Sequence, residues 1–318
     1  YVNVSAIGRS MHEANSKLAA TVSRTPFYAH NTVLIVSEEL ARSGRFSDVV
    51  DFFIRDQEMR RETKVMIANG KDAKEILGTK TNMDQLPALY INSVAENEYQ
   101  DIDIPATLRV GDLHQKLLVN SSFTVPAVVA TEDRLSIAST AVFRGRDNRM
   151  IDWIHGKENE GLQFLKGELR GGALNVNFGD NLVVFRLERV KTKIEADVSD
   201  IEHILFTVRI DTLGTIIESL ETIDYIGNNQ IWGLLEQKTS EEIERTVSTA
   251  LKKLHVELKL DVMDLDRHLY ANHPEVWEKV KGDWDNGKNY FAMSDIDVRV
   301  HTQIRNAGVV NQTEPIQD

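Results

Sequence analysis

The chain has 318 residues, 42% hydrophobic and 27% charged, with a formal net charge of −12 and no cysteine. The length predicts two or three domains of an ordinary globular protein. The composition excludes disulfides, thiolate metal sites and cysteine nucleophiles. No run of about 18 apolar residues is present to span a bilayer as a helix. Residues 1–150 carry 18 Lys and Arg against 19 Asp and Glu, and residues 151–318 carry 19 against 30. An acidic second half repels phosphate backbones, and no basic stripe with interleaved aromatics occurs, so nucleic acid is not an expected partner. Direct docking of that half on an anionic lipid surface is disfavoured for the same reason.

The opening YVNVSAIG lacks Met, has no signal-peptide pattern and reads as mid-strand sequence, which predicts a natural N-terminus further upstream. Alternation at Val2, Val4 and Ala6 predicts a strand ending at Gly8. Ser10 and Glu13 then form a capping box ahead of a helix to about Ser23. A strand, a glycine and a helix N-terminus can cradle an anion, but without G-x-G-x-x-G or a Walker A pattern this reads as a plain turn. Thr32–Val36 is a buried strand. Phe46, Val49, Val50 and Phe53 fall at i, i+3, i+4 and i+7, a helix with one buried face. Val65–Ala68 is a strand, Asn69-Gly70 a turn, and Asp72 with Glu75 caps a short helix for which Gly78 is the C′ residue. Met83–Asp112, with Pro87 and Pro105, reads as an irregular or inter-lobe segment.

Val125–Ala130 and Leu135–Phe143 flank Glu132-Asp133 as a hairpin. Lys157–Leu169 is helical and Gly171-Gly172 ends it. Asn181–Val198 is a long strand whose apolar phase shifts from Val183, Phe185 and Leu187 to Val190, Ile194 and Val198, which predicts a bulge. Ile204, Phe206, Val208 and Ile210 mark a strand with one core face, as do Ile296, Val298, Val300 and Ile304. Thr239 and Glu242 cap one long helix running to about Tyr270, roughly 45 Å at 1.5 Å per residue. The expected class is α+β, with two to three consecutive mixed α/β domains and a C-terminal antiparallel sheet packed against a long helix. The expected divisions are 1–112, 113–172 (a middle domain or part of the first) and 173–318.

Three constellations carry chemistry-bearing residues. Asp264, Asp266, His268 and His273 could hold a metal and serve a hydrolase. However, five residues turn a helix through about 140°, so the histidines should not share a face, and Pro274 breaks the helix at His273. The stretch IRDQEMRRETK places Arg55, Asp56, Glu58, Arg60 and Arg61 in alternating sign; it reads as a solvated helix end or as a charged docking surface. No isolated carboxylate pair in an apolar setting is evident, so no acid–base machinery is expected. GGALNVNFGDN (Gly171–Asn181) lacks the Gly-Lys-Ser/Thr of a phosphate loop. In HPEVWEKVKGDWD, His273 and Pro274 open a short helix, and Trp277 and Trp284 share one face. They read as structural, pinning the helix onto the sheet.

FFIRDQEMRRETKVMIANG (Phe52–Gly70), NLVVFRLERVKTKIEADV (Asn181–Val198), HPEVWEKVKGDWD and FAMSDIDVRVHTQIRNAG (Phe291–Gly308) occur in an order and spacing that resembles the GerAC-like C-subunit lipoproteins of spore germinant receptors. The resemblance implies a non-enzymatic subunit without a cofactor, in three consecutive mixed α/β domains. It would lie on the outer face of the spore inner membrane, held by an N-terminal diacylglycerol cysteine. Its implied partners are the membrane-embedded A subunit and the transporter-like B subunit. The family's lipobox cysteine is absent from this sequence. Two other readings stay open: an extracytoplasmic solute-binding module with an interlobe cleft, and the metal-dependent hydrolase.

Overall fold

Val33-Leu34-Ile35-Val36 and Val65-Met66-Ile67-Ala68 have no polar face, which suits strands covered on both sides. In the computed structural model, which describes residues 3–23, 26–79, 86–131, 134–179, 181–219 and 229–307, both lie in a sheet with helices on each side. The contacts divide the chain into two units, Tyr1–Glu96 with Thr107–Ile154, and Asn97–Ala106 with His155–Asp318.

The first unit runs α1 (Met11–Ala19), β1 (Val33–Ser37), α2 (Glu38–Arg42), α3 (Phe46–Arg55), β2 (Lys64–Asn69), α4 (Ala73–Gly78), α5 (Pro87–Ala95), α6 (Val110–Val119), β3 (Phe123–Ala130), β4 (Leu135–Arg144) and β5 (Arg149–His155). The strands stand in sequence order in one five-stranded sheet. β1, β2 and β3 are parallel, and β3 and β4 form the expected antiparallel hairpin. Residues 132 and 133 of its turn lie outside the described residues. Strand alternation sends Leu34, Val36, Val65 and Ile67 to one face, against Phe46, Val50 and Phe53 of α3 and Val110 and Leu113 of α6. Val33, Met66 and Ala68 go to the other, against Ile76 of α4 and Ile91 and Ala95 of α5. Phe123 and Phe143 stack at 4.9 Å, and Phe46 closes on Phe143 at 4.7 Å.

Several local expectations change. Residues 3–8 form no strand, since alternation without a neighbouring ladder does not make one; Val2 lies outside the described residues. α1 is capped by Ser10, whose side chain accepts from the Glu13 amide, and it ends at Ala19. Much of the segment expected to be irregular is helical, because Pro87 occupies the first turn of α5, where its missing N–H costs nothing. Residues 83–85 lie outside the described residues. Gly78 ends α4 as its last helical residue, with Thr79 as C-cap.

The second unit contains α7 (Lys157–Lys166), β6 (Ala173–Phe178), β7 (Asn181–Asp197), β8 (Leu205–Ser219), α8 (Asn229–Leu251), α9 (Leu265–Asn272), α10 (Pro274–Val280), α11 (Tyr290–Met293) and β9 (Asp295–Ile304). Its sheet order is β6-β7-β8-β9. β7 carries the bulge: its register against β8 slips after Val184 and again after Leu187, where Glu188 and Arg189 both face solvent. The expectation of a wholly antiparallel sheet is corrected at β9, which pairs parallel to β8. A helix between two strands returns the chain to the starting end, and that connection makes a parallel pair.

The long helix also shifts. α8 begins at Asn229, so Thr239 is interior and its hydroxyl donates to the Leu235 carbonyl at 2.8 Å, with no capping role. It continues through a π-helical stretch, Lys252–Leu258, and stops at Lys259 (φ +56°), well short of Tyr270. α7 stops at Gly167 (φ +65°) instead of Gly171-Gly172. Those two glycines let residues 99–102 pass close: a Cβ on Gly171 would sit 2.4 Å from the Tyr99 carbonyl oxygen.

α7 crosses α8 at Gly161, where a Cβ would meet the Thr246 carbonyl oxygen at 2.5 Å and the Ala250 methyl at 2.7 Å. Gly161→Ala is expected to cost about 1–3 kcal/mol through forced separation of the helices, read by denaturant unfolding.

Candidate interaction surface

In the first unit, the stretch from Arg55 to Thr63 is a pair of tight turns at the end of α3. The Asp56 side chain accepts from the Glu58 amide at 2.8 Å, and the Asp56 carbonyl from the Met59 amide at 3.3 Å. Met59 is buried and plugs the turn into the core. The Thr63 amide donates to the Arg60 carbonyl, while the Thr63 hydroxyl donates to the Asn31 carbonyl at 2.9 Å. The Arg61 and Thr63 carbonyls accept from the Gly111 and Val110 amides, both at 2.9 Å, tying the turn to the start of α6. Arg55, Glu58, Arg60 and Arg61 are exposed and Asp56 is half-buried. Arg55 pairs with Asp51 at 2.7 Å, and an Arg61 guanidinium nitrogen lies 3.2 Å from His114 Nδ1. The backbone is therefore held from beneath while the charged ends stand in water.

In the second unit, the stretch from Lys259 to Phe291 is organised around a side chain that the sequence reading passed over. Asp261 is 1% exposed and lies among Leu260, Val262, Met263 and Leu265, all buried. One carboxylate oxygen accepts from the amides of Met263 (3.0 Å) and Leu265 (3.3 Å). The other accepts from the Asp266 amide (2.7 Å) and the Trp284 indole N–H (2.8 Å). Burial pushes the Asp261 carboxyl up to about 8; the Asp266 carboxyl adds to the rise, and the Trp284 and Asp266 N–H groups pull against it. Asp266 is also buried. This pair corrects the expectation that no carboxylate pair stands in an apolar setting. The available signal was a lone Asp inside the apolar run LDVM. With all four lone-pair directions of Asp261 used internally, its arrangement serves architecture.

The tryptophan segment divides as follows. His273 precedes α10 and Pro274 is its first residue. Trp284 is 4% exposed and packs edge-on against Phe206 of β8 at 6.2 Å; Trp277 is half-buried against Trp284 at 6.0 Å. The four candidate metal ligands scatter: Asp266 is buried beside Asp261, and Asp264 lies 3.9 Å from the Lys166 ammonium. The two histidines do meet, with ring centroids 6.2 Å apart, against the helical-wheel expectation. α9 ends at Asn272, so His273 leaves the helix (φ −136°, ψ 57°) and the angular argument stops applying. Among the described residues, no group of three or more His, Cys, Asp or Glu is placed to hold a metal ion.

Asp261→Ala is expected to destabilise the protein by about 3 kcal/mol or more, because each orphaned buried donor costs about 1–3 kcal/mol; thermal and denaturant unfolding would measure it. Burial, and then the neighbouring His273 ring, holds His268 below the ordinary value of 6.5. The unfolded chain then binds the proton more readily, so stability should be intact above about pH 6.5 and fall as the pH drops towards the folded value. The decline in melting temperature from about pH 7 to about pH 5 should be smaller in His268→Gln than in the wild type.

Family models cover both halves of the chain. One, described as the spore germination protein N-terminal domain, matches residues 1–130; another, described as spore germination B3/GerAC like, C-terminal, matches residues 138–308. Spore germination protein YndF of Bacillus subtilis (strain 168) is 28% identical over 312 residues, 98% of this chain and 76% of the relative. Spore germination protein B3 of the same organism is 25% identical over 314 residues, 98% of this chain and 82% of the relative. Spore germination protein KC is 24% identical over 96% of this chain and 78% of its own length. The crystal structure of the GerBC protein has the same fold, with a TM-score of 0.71 at 23% identity over 90% of this chain and 83% of that one.

Proposed function

The chain belongs to the spore germination B3/GerAC-like family, the C subunits of germinant receptors, and on that premise we propose that it works without catalysis, by contact with the receptor's membrane-embedded A and B subunits during nutrient-triggered germination. On this reading it sits on the outer face of the spore inner membrane, held by a diacylglycerol-bearing cysteine outside the sequence shown. A single acyl chain binds a membrane only marginally, so a diacyl anchor together with protein contacts suits a stable attachment. No helix among the described residues is long and apolar enough to cross a membrane.

The observation that carries the contact surface is the Arg55–Thr63 turn. Arg55, Asp56, Glu58, Arg60 and Arg61 project from a backbone already fixed by Met59, Thr63 and the amides of Val110 and Gly111. A partner docking there orders side chains only, not a loop, which lowers the entropic cost of association. Guanidinium groups are also favoured at interfaces, because they stack and form paired hydrogen bonds.

Spores lacking the gene are expected to lose or slow their nutrient response while still responding to a cationic surfactant. Spores carrying Arg55→Glu, Arg60→Glu and Arg61→Glu together should reproduce that loss with normal protein abundance. A normal nutrient response in the deletion would overturn the receptor role. A normal response in the triple variant alone would overturn the surface.

A further inference from the structure

The edge of a sheet offers a row of backbone groups to any passing strand, and folded proteins cover or blunt such edges. β9 is an edge of the second unit's sheet, paired on its inner side with β8. Its amides alternate in direction. Those of odd-numbered residues point inward, as when the Asp295 amide reaches the Ile204 carbonyl at 2.9 Å and the Arg305 amide the Gly214 carbonyl at 2.8 Å. Those of even-numbered residues point outward, and three of them end on side chains of α8. The Ile304 amide donates to Glu236 Oε1 at 2.9 Å, the Thr302 amide to Ser240 Oγ at 3.1 Å, and the Val300 amide to Glu244 Oε1 at 3.4 Å.

The match is geometric. Acceptors four residues apart on a helix recur about every 6 Å. Outward amides two residues apart on a strand recur about every 6.6 Å. Running antiparallel to β9, α8 therefore meets three successive outward amides with three successive acceptors. Ser240 fixes the register: its hydroxyl lies 2.9 Å from the Glu236 carbonyl and 3.0 Å from the Thr302 hydroxyl, which lies 3.0 Å from Thr212 on β8.

We propose that Glu236, Ser240 and Glu244 form an edge guard, occupying the ladder positions a further strand would use and closing β9 to edge-to-edge pairing with a second copy of this chain. The second copy is the occupant that the edge itself selects. Two β9 edges meeting antiparallel about a two-fold axis would satisfy each other's outward groups, and Val298–Ile304 is rich in β-branched residues suited to a strand. The inference does not depend on the receptor reading.

The test compares the wild type with a variant carrying Glu236→Ala, Ser240→Ala and Glu244→Ala. Residue-level hydrogen exchange would be read at Val300, Thr302 and Ile304, with the inward Arg299, His301 and Gln303 as controls, and sedimentation velocity would be run over a concentration series. The outward amides should exchange about tenfold faster in the variant with the controls unchanged, as expected for losing one hydrogen bond each. The variant should also form concentration-dependent dimers or larger species that the wild type does not form at the same concentrations. A second variant, with Glu236→Gln, Ser240→Thr and Glu244→Gln, removes the same charge but keeps the acceptors, and should behave as wild type. Wild-type exchange in the alanine variant, or faster exchange without self-association, would overturn the guard. If the triple variant does not fold, Glu244→Ala read at Val300 and Glu236→Ala read at Ile304 decide the same question by the same two measurements.

Discussion

A carboxyl group with 1% exposure must find its hydrogen-bond partners inside the protein, and in the second unit Asp261 takes them from residues 263–266 and from Trp284. Three of the four are backbone amides within five residues, which forces the chain to wrap around the side chain and leave the π-helical stretch as a corner. The fourth is the Trp284 indole, drawn from the far side of α9 and α10. Once Trp284 is fixed, its carbonyl accepts from the Phe291 amide at 2.8 Å, and Phe291 lies in α11, the short helix that leads into β9. One buried acid thus ties the turn after the long helix to the tryptophan that precedes the last strand. Burial beside a second acid disfavours the charged form, which is why the group sits so far above its ordinary pKa.

The two units answer the same requirement, that every buried backbone group be paired, in different ways. In the first, helices cover both faces of a largely parallel sheet, and the strands can be apolar throughout. In the second, β7, β8 and β9 alternate core and solvent residues, so one face is wet and carries charge. At β9 the ladder is continued by side chains of α8 in place of another strand.

Function follows from what is presented outward. The residues that looked most like machinery, the histidines and aspartates after the long helix, are distributed between a buried knot, an ion pair with Lys166 and a pair of half-buried rings. The residues that looked like ordinary surface, Arg55 to Arg61, sit on a turn with a buried methionine beneath it and two amides of α6 tied to it. Rigid support beneath exposed charge lowers the ordering cost of a contact, which is what the proposed docking role asks of this turn.

By itself the sequence determined what depends on near neighbours in the chain. Periodicity placed β1, α3, β2, the β3–β4 hairpin, α7 and the bulged β7, and the capping patterns located the starts of α1 and α4. The family likeness was also legible, because it rests on ordered segments and not on any contact. Tertiary structure decided what depends on a distant partner. The direction of β9 required knowing that α8 carries the chain back along the sheet. The donor set of Asp261 required Trp284, 23 positions further along the chain, to complete it. Pro87 looked like a breaker because composition does not distinguish the first turn of a helix from a loop. The acceptors of α8 gain their role only from the strand edge that lies beside them. In each case the local signal was present, and its meaning was set by which backbone group stood across from it.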